Sequence, residues 1–188
     1  MGAREPAKLD ERTSKTGLAD QPDAELVALA RSGEMAAFEE LVRRYRNPVF
    51  AHAYHFVRQR EEAWDVSQEV FIKAYRALPR FRGESNFKTW LMRITGNQCK
   101  DSLKRRKPKA VPLREGLHQN EIPADESRPD QTAYAREIGE AIVQLLEAMP
   151  FKHRQAFILR EFEGLSYQEI ARVMGCRLGT VMSRLHHA

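Results

Sequence analysis

From Pro22 to Ala188, apolar residues recur three and four positions apart, and no stretch alternates apolar with polar residues as a half-buried strand would. A chain patterned this way must bury helix stripes against one another, so the sequence predicts an all-α fold. Helices are expected near 22–32, 35–46, 48–59, 62–78 and 86–106, with Gly33, Pro48, Pro79 and Gly83 at the breaks. Leu26, Leu29 and Ala30, then Phe38, Leu41, Val42 and Tyr45, then Val49, Phe50, Ala53, Phe56 and Val57 form stripes of one core.

The pattern stops between Arg106 and Gln131, where Pro108, Pro112, Pro123 and Pro129 are mixed with Glu115, Glu121, Asp125, Glu126 and Asp130. Such a segment reads as an extended, acidic, flexible linker. Helices over 134–148 and 151–163 follow it. The expected organisation is therefore a disordered tail over 1–21, a helical domain over 22–107, the linker over 108–132 and a second small helical domain over 133–188.

The second domain ends in a helix-turn-helix pattern. Ser166 with Glu169 three residues on is a capping box, Ile170, Ala171 and Val173 supply apolar contacts, and Gly175 stops the helix. A further helix starts around Leu178. It buries Val181 and Leu185 at an i, i+4 spacing, while Arg177, Thr180, Ser183 and Arg184 face outward, where a major groove can meet them. The same pattern also suits an αα-hairpin in an ordinary bundle.

Lys and Arg outnumber Asp and Glu by 31 to 26, a formal charge of +5 that suits a polyanionic partner. The two cysteines, Cys99 and Cys176, lie far apart and form neither a disulfide framework nor a zinc site. Met1 to Asp20 lack the apolar core of a signal peptide, and no run is long enough to span a bilayer. The expectation is a cytoplasmic protein with no membrane insertion of its own. His52 and His55 stand at i, i+3 without a nearby carboxylate or thiol, so no metal and no cofactor is expected. No catalytic set is present, and the chain is not expected to be an enzyme.

Within the helix from Glu62 to Leu78, Asp65, Gln68 and Glu69 fall on one face with Glu62 one turn earlier. This acid-amide patch suits a basic helical partner, although Lys73 and Arg76 can instead neutralise it as a solvated ladder. The segment from Phe81 to Trp90 interleaves aromatic, basic and small polar residues over a loop and a helix start. Arg82, Ser85, Asn86, Phe87, Lys88 and Trp90 suit unpaired bases, whose faces stack on rings and whose phosphates attract cations. Arg93, Asn97, Lys100 and Lys104 continue that polar and basic face along the helix.

Asp65-Val66-Ser67-Gln68-Glu69-Val70-Phe71, Ala74-Tyr75-Arg76-Ala77-Leu78, Phe81-Arg82-Gly83-Glu84-Ser85, Thr89-Trp90-Leu91 and Arg93-Ile94 together resemble a bacterial extracytoplasmic-function sigma factor of the sigma-70 family. So do Leu159-Arg160-Glu161, Gly164-Leu165-Ser166-Tyr167-Gln168-Glu169-Ile170-Ala171 and Gly179-Thr180-Val181. The resemblance implies a subunit that binds core RNA polymerase, recognises promoter DNA and helps to melt it. It implies that Asp65, Gln68 and Glu69 dock on the polymerase clamp helices, and that the loop from Arg82 to Lys88 with the helix after it captures the melted minus-ten element. It implies further that the helix from Arg177 to His186 reads the minus-thirty-five element, that the acidic linker threads toward the active-site cleft, and that an anti-sigma factor silences the chain. Met182 stands where the family usually carries Lys or Arg, and Arg177 where it carries Pro. The chain also stops at Ala188, where the family continues with a basic stretch. These departures lead to an expectation of weaker minus-thirty-five binding. A helix-turn-helix repressor acting without polymerase is the alternative, and it makes the Asp65 patch dispensable.

Overall fold

Pro48 does not break the chain where its missing N–H suggests it should. The computed structural model describes residues 17–105, 141, 142 and 144–188, and in it a single helix, α2, runs from Met35 to Val57 straight through Pro48. One lost backbone hydrogen bond is outweighed by burial on both sides of the proline. Phe38 and Leu41 before it, and Val49, Ala53, Phe56 and Val57 after it, are all buried on one stripe. The separate helices expected over 35–46 and 48–59 are therefore one. It ends at Arg58, whose left-handed φ of 58° closes the last turn on the Tyr54 carbonyl.

α1 (Asp23–Arg31) precedes it, and α3 (Arg60–Ala77), a 3-10 turn (Leu78–Arg80) and α4 (Phe87–Arg105) follow. α2 packs against α1, α3 and α4, and α3 packs against α4. Arg44 staples the entry of the chain to this bundle. It pairs with the buried Glu40 at 2.9 Å and Asp23 at 2.8 Å, and donates to the carbonyls of Leu18 and Ala19. The Arg43 guanidinium, with Arg44 beside it, holds the Glu40 carboxyl down to about 2 against the opposing effect of burial. Tyr45 donates to Asp23 from the next position.

His52 is a core residue. It is fully buried, neither ring nitrogen has a hydrogen-bond partner, and burial, aided by nearby His55, pushes its pKa down to about 3. Among the described residues, no cluster of His, Cys, Asp and Glu is arranged to hold a metal. Cys99 is equally buried, which pushes its thiol up to about 12.

The second lobe consists of α5 (Phe151–Glu161), α6 (Tyr167–Met174) and α7 (Leu178–His186), packed pairwise, with residues 144–148 helical just before them. Ser166 and Glu169 form the capping box expected of them, with Ser166 N–H donating to Glu169 at 2.9 Å and Glu169 N–H to Ser166 Oγ at 3.3 Å. Gly175, at φ 59°, ends α6 in the left-handed conformation that the turn needs. Ile170, Val173 and Val181 join Ile158 and Leu159 in this lobe's core. Among the described residues there are no strands, and no helix is long and apolar enough to cross a membrane. Residues 1–16 of the expected tail, the whole linker over 108–132 and the start of the 134–148 helix lie outside the described residues, whereas residues 17–21, expected as part of a disordered tail, begin with a short helical segment and are tied to the bundle by Arg44.

Candidate nucleic-acid interface

Asn86 starts α4 and also ties it to the second lobe. Its Oδ1 accepts from Thr89 N–H at 2.7 Å, which caps the helix, and its Nδ2 donates to Glu169 at 2.8 Å. Thr89 Oγ1 reaches the same carboxylate at 3.4 Å, and Lys88 Nζ donates to the Glu163 carbonyl at 2.7 Å and pairs with its carboxylate at 3.3 Å. Glu163 is buried, which raises its pKa, while Lys88 opposes the shift. The hydrogen bonds from Ser166, backbone first, hold the Glu169 carboxyl below its usual range. The seam continues through apolar contacts, with Phe56 on Phe151 at 4.8 Å and His55 on Phe162 at 4.4 Å between ring centres. Gly96 leaves room for Gln155, because a Cβ there would lie 2.1 Å from the amide nitrogen.

Two acidic residues of the second lobe thus occupy the polar groups of Lys88, Asn86 and Thr89. Glu163, Glu169 and Gln155 carry no sequence signal for this contact. It joins residues about 60 to 80 positions apart, which helical spacing cannot report.

The loop before α4 holds an aromatic cluster. Phe87 is 3% exposed, packed on Tyr45, Phe81 and Trp90, so its expected place among base-contacting residues is corrected: the ring is core that holds the loop's shape. Trp90 is half-buried and lines a cavity of about 300 Å³ with Glu84, Ser85, Thr89 and Arg93, closed on one side by Arg172 from α6. Arg82, Arg93, Asn97, Lys100 and Lys104 are exposed, the last four along one face of α4.

On α3, Asp65 and Gln68 are exposed, whereas Glu69 leans onto α4. The amide of the buried Gln98 bridges Lys73 and Glu69, and Arg105 donates to Glu69 at 3.3 Å. Lys73 therefore reaches this carboxylate only through Gln98, unlike the simple ladder that spacing allowed. Glu62 likewise accepts from Ser102 at 2.7 Å. Sequence reasoning missed Ile72, which is 51% exposed and lies on the helix face between Gln68 and Glu69.

Arg177, just before α7, and Ser183 on it are exposed, and Thr180 is partly so. Arg184 does not face outward as expected. Its guanidinium turns back onto the helix-turn-helix, 3.5 Å from Cys176 Sγ and 3.9 Å from Met174 Sδ. At 240° around the helix from Leu178 it sits on the flank of the buried stripe, where the soft sulfur atoms of the turn are within reach.

Residues 41–109 match the family model for Sigma-70 region 2, and residues 139–188 the model for Sigma-70, region 4. The RNA polymerase sigma-H factor of Pseudomonas aeruginosa is 41% identical over 91% of this chain and 92% of its own length. The ECF RNA polymerase sigma-E factor of Escherichia coli K12 is 38% identical over 88% and 90%. Among solved structures, CnrH in complex with the cytosolic domain of CnrY is similar at a TM-score of 0.65 and 27% identity, over 88% of this chain and 91% of that one.

Proposed function

Because the chain belongs to the sigma-70 family, in its extracytoplasmic-function group, we propose that it works as a two-handed initiation factor whose first lobe docks on core polymerase and captures the opened strand, while α7 reads the upstream duplex. As a sigma factor it binds core RNA polymerase, directs it to promoters and promotes melting. It acts by binding.

The observation that carries the division of labour is the pair of unlike faces on the first lobe. α3 presents Asp65, Gln68 and Ile72, acidic with an apolar centre, which fits a basic helical partner. α4 presents Arg93, Asn97, Lys100 and Lys104, which fits a phosphate backbone. The cavity at Ser85, Thr89, Trp90 and Arg93 is suited to one extruded base. Unstacking a base costs a few kcal/mol, and contacts in such a pocket offset it, so strand opening needs no nucleotide hydrolysis. The lobes as they pack here cover part of this site with Glu163, Glu169 and Arg172. Initiation therefore requires them to separate, and an anti-sigma factor that holds them together would keep the chain silent.

Core polymerase affinity is the test. Asp65→Arg and Ile72→Glu should each reduce recovery of the chain on immobilised core polymerase by at least tenfold, with helicity unchanged. Full recovery of both variants would sink the docking role of α3 and favour a repressor acting without polymerase.

A further inference from the structure

The outward arc of α7 is unusual for a helix meant to lie against a polyanion. With Val181 fully buried and Leu185 partly so, the opposite side of the helix carries Gly179, Met182, Ser183 and His186. Met182 is 49% exposed, and Leu178, one turn earlier on its flank, is 40% exposed. No atom lies within 4 Å of where a Cβ on Gly179 would sit, so the backbone there is open to close approach. Arg184, the one arginine inside the helix, is turned onto Met174 and Cys176 and is withdrawn from that arc. The exposed positive charge stays at the rim, at Arg177 just before the helix.

Cation at the rim and apolar surface at the centre is an arrangement with a specific complement in duplex DNA. Phosphates line the edges of the major groove, and the one apolar group on its floor is the C5-methyl of thymine. A Lys or Arg at position 182 would reach phosphate or guanine; a thioether reaches neither usefully, but it packs against a methyl group. We infer that Leu178 and Met182 read thymine methyl groups in the upstream promoter element, so that this chain takes part of its minus-thirty-five specificity from apolar contact. The inference rests on the promoter-reading role of α7 proposed above.

Removing the methyl while keeping every hydrogen-bonding group is possible by replacing thymidine with deoxyuridine. Holoenzyme reconstituted from the full chain is used to enrich an upstream element from a randomised duplex library, and each thymidine of that element is then changed to deoxyuridine in turn. At one or two positions, wild-type binding should weaken about three- to fourfold, the value of one methyl-sized apolar contact. In Met182→Ala the ratio of the two affinities should fall to one at the position that Met182 reads, whatever its absolute affinity. In Met182→Lys it should also fall to one, and the log-log salt slope should steepen by roughly 0.9 for the added phosphate contact. Both variants alter an exposed side chain, and unchanged helicity excludes misfolding. An enriched element without thymine, or equal affinity for both bases at every position, overturns the inference and assigns the apolar pair to a protein partner. A holoenzyme that enriches no upstream element overturns the promoter-reading role of α7 itself, and the inference with it.

Discussion

Acid should destabilise the first lobe through one histidine. His52 is buried without a partner for either ring nitrogen, and its pKa is near 3, whereas an unfolded chain holds histidine near 6.5. Above the unfolded value both states are neutral and the group contributes nothing to the pH dependence. Below it the unfolded state takes a proton that the folded state refuses, so stability falls with pH until the folded pKa is reached. At pH 5.5 the loss is about 1.4 kcal/mol relative to pH 7.5. His55, held down to about 4 mainly by burial, adds a similar loss, and together they amount to a large share of the ~5 to 15 kcal/mol of an ordinary domain. His52→Leu replaces the ring by a side chain of similar volume and removes the two orphaned nitrogens. It should stabilise the lobe by about 1 to 2 kcal/mol at pH 7.5, and its advantage should grow by about 1.4 kcal/mol at pH 5.5. Trp64 and Trp90, the two tryptophans of the chain, both lie in the first lobe, and Trp64 stands clear of the cavity that Trp90 shares with Arg172, so urea unfolding followed by their fluorescence follows chiefly this lobe. Glu163, whose raised carboxyl works in the opposite direction, is present in both proteins and cancels in the comparison. Parallel pH dependences in wild type and variant would refute the reasoning, since they would mean that His52 is protonated or hydrated within the fold.

Two further outcomes follow from the second lobe and the seam. Ser166→Ala should lower the stability of the second lobe by about 1 kcal/mol, measured by hydrogen exchange of the α6 amides, because the N-cap acceptor and one half of the capping box are lost. Glu163→Gln removes the charge that holds Lys88, so the free protein should bind a single-stranded minus-ten oligonucleotide roughly fivefold more tightly in fluorescence anisotropy; unchanged affinity would show that the seam does not compete with DNA.

The elements themselves were largely legible in the chain. The Ser166 and Glu169 capping box, Gly175 and the stripes of Leu26, Leu41 and Val181 are local signals, and each marks a helix end or a buried face at the position expected. Pro48 misled, because the loss of one hydrogen bond is a local fact and the burial that outweighs it on either side is not. Phe87 and Arg184 misled for a related reason. Their residue types suit DNA, and only their neighbours show that Phe87 is packed among rings and Arg184 is turned onto two sulfur atoms.

The sequence by itself therefore determined an all-α chain in two lobes, with a capped helix-turn-helix at its end, because periodicity and caps depend on residues within a few positions of one another. Tertiary structure alone decided which side chains are covered and which stay exposed. Ile72 stays exposed within the acidic patch, Leu178 and Met182 on the outer side of α7, and Glu163 and Glu169 lie against Lys88 and Asn86 at the start of α4. Helical spacing states which side chains share a face, and it is silent on what covers that face, since the covering residues come from distant parts of the chain.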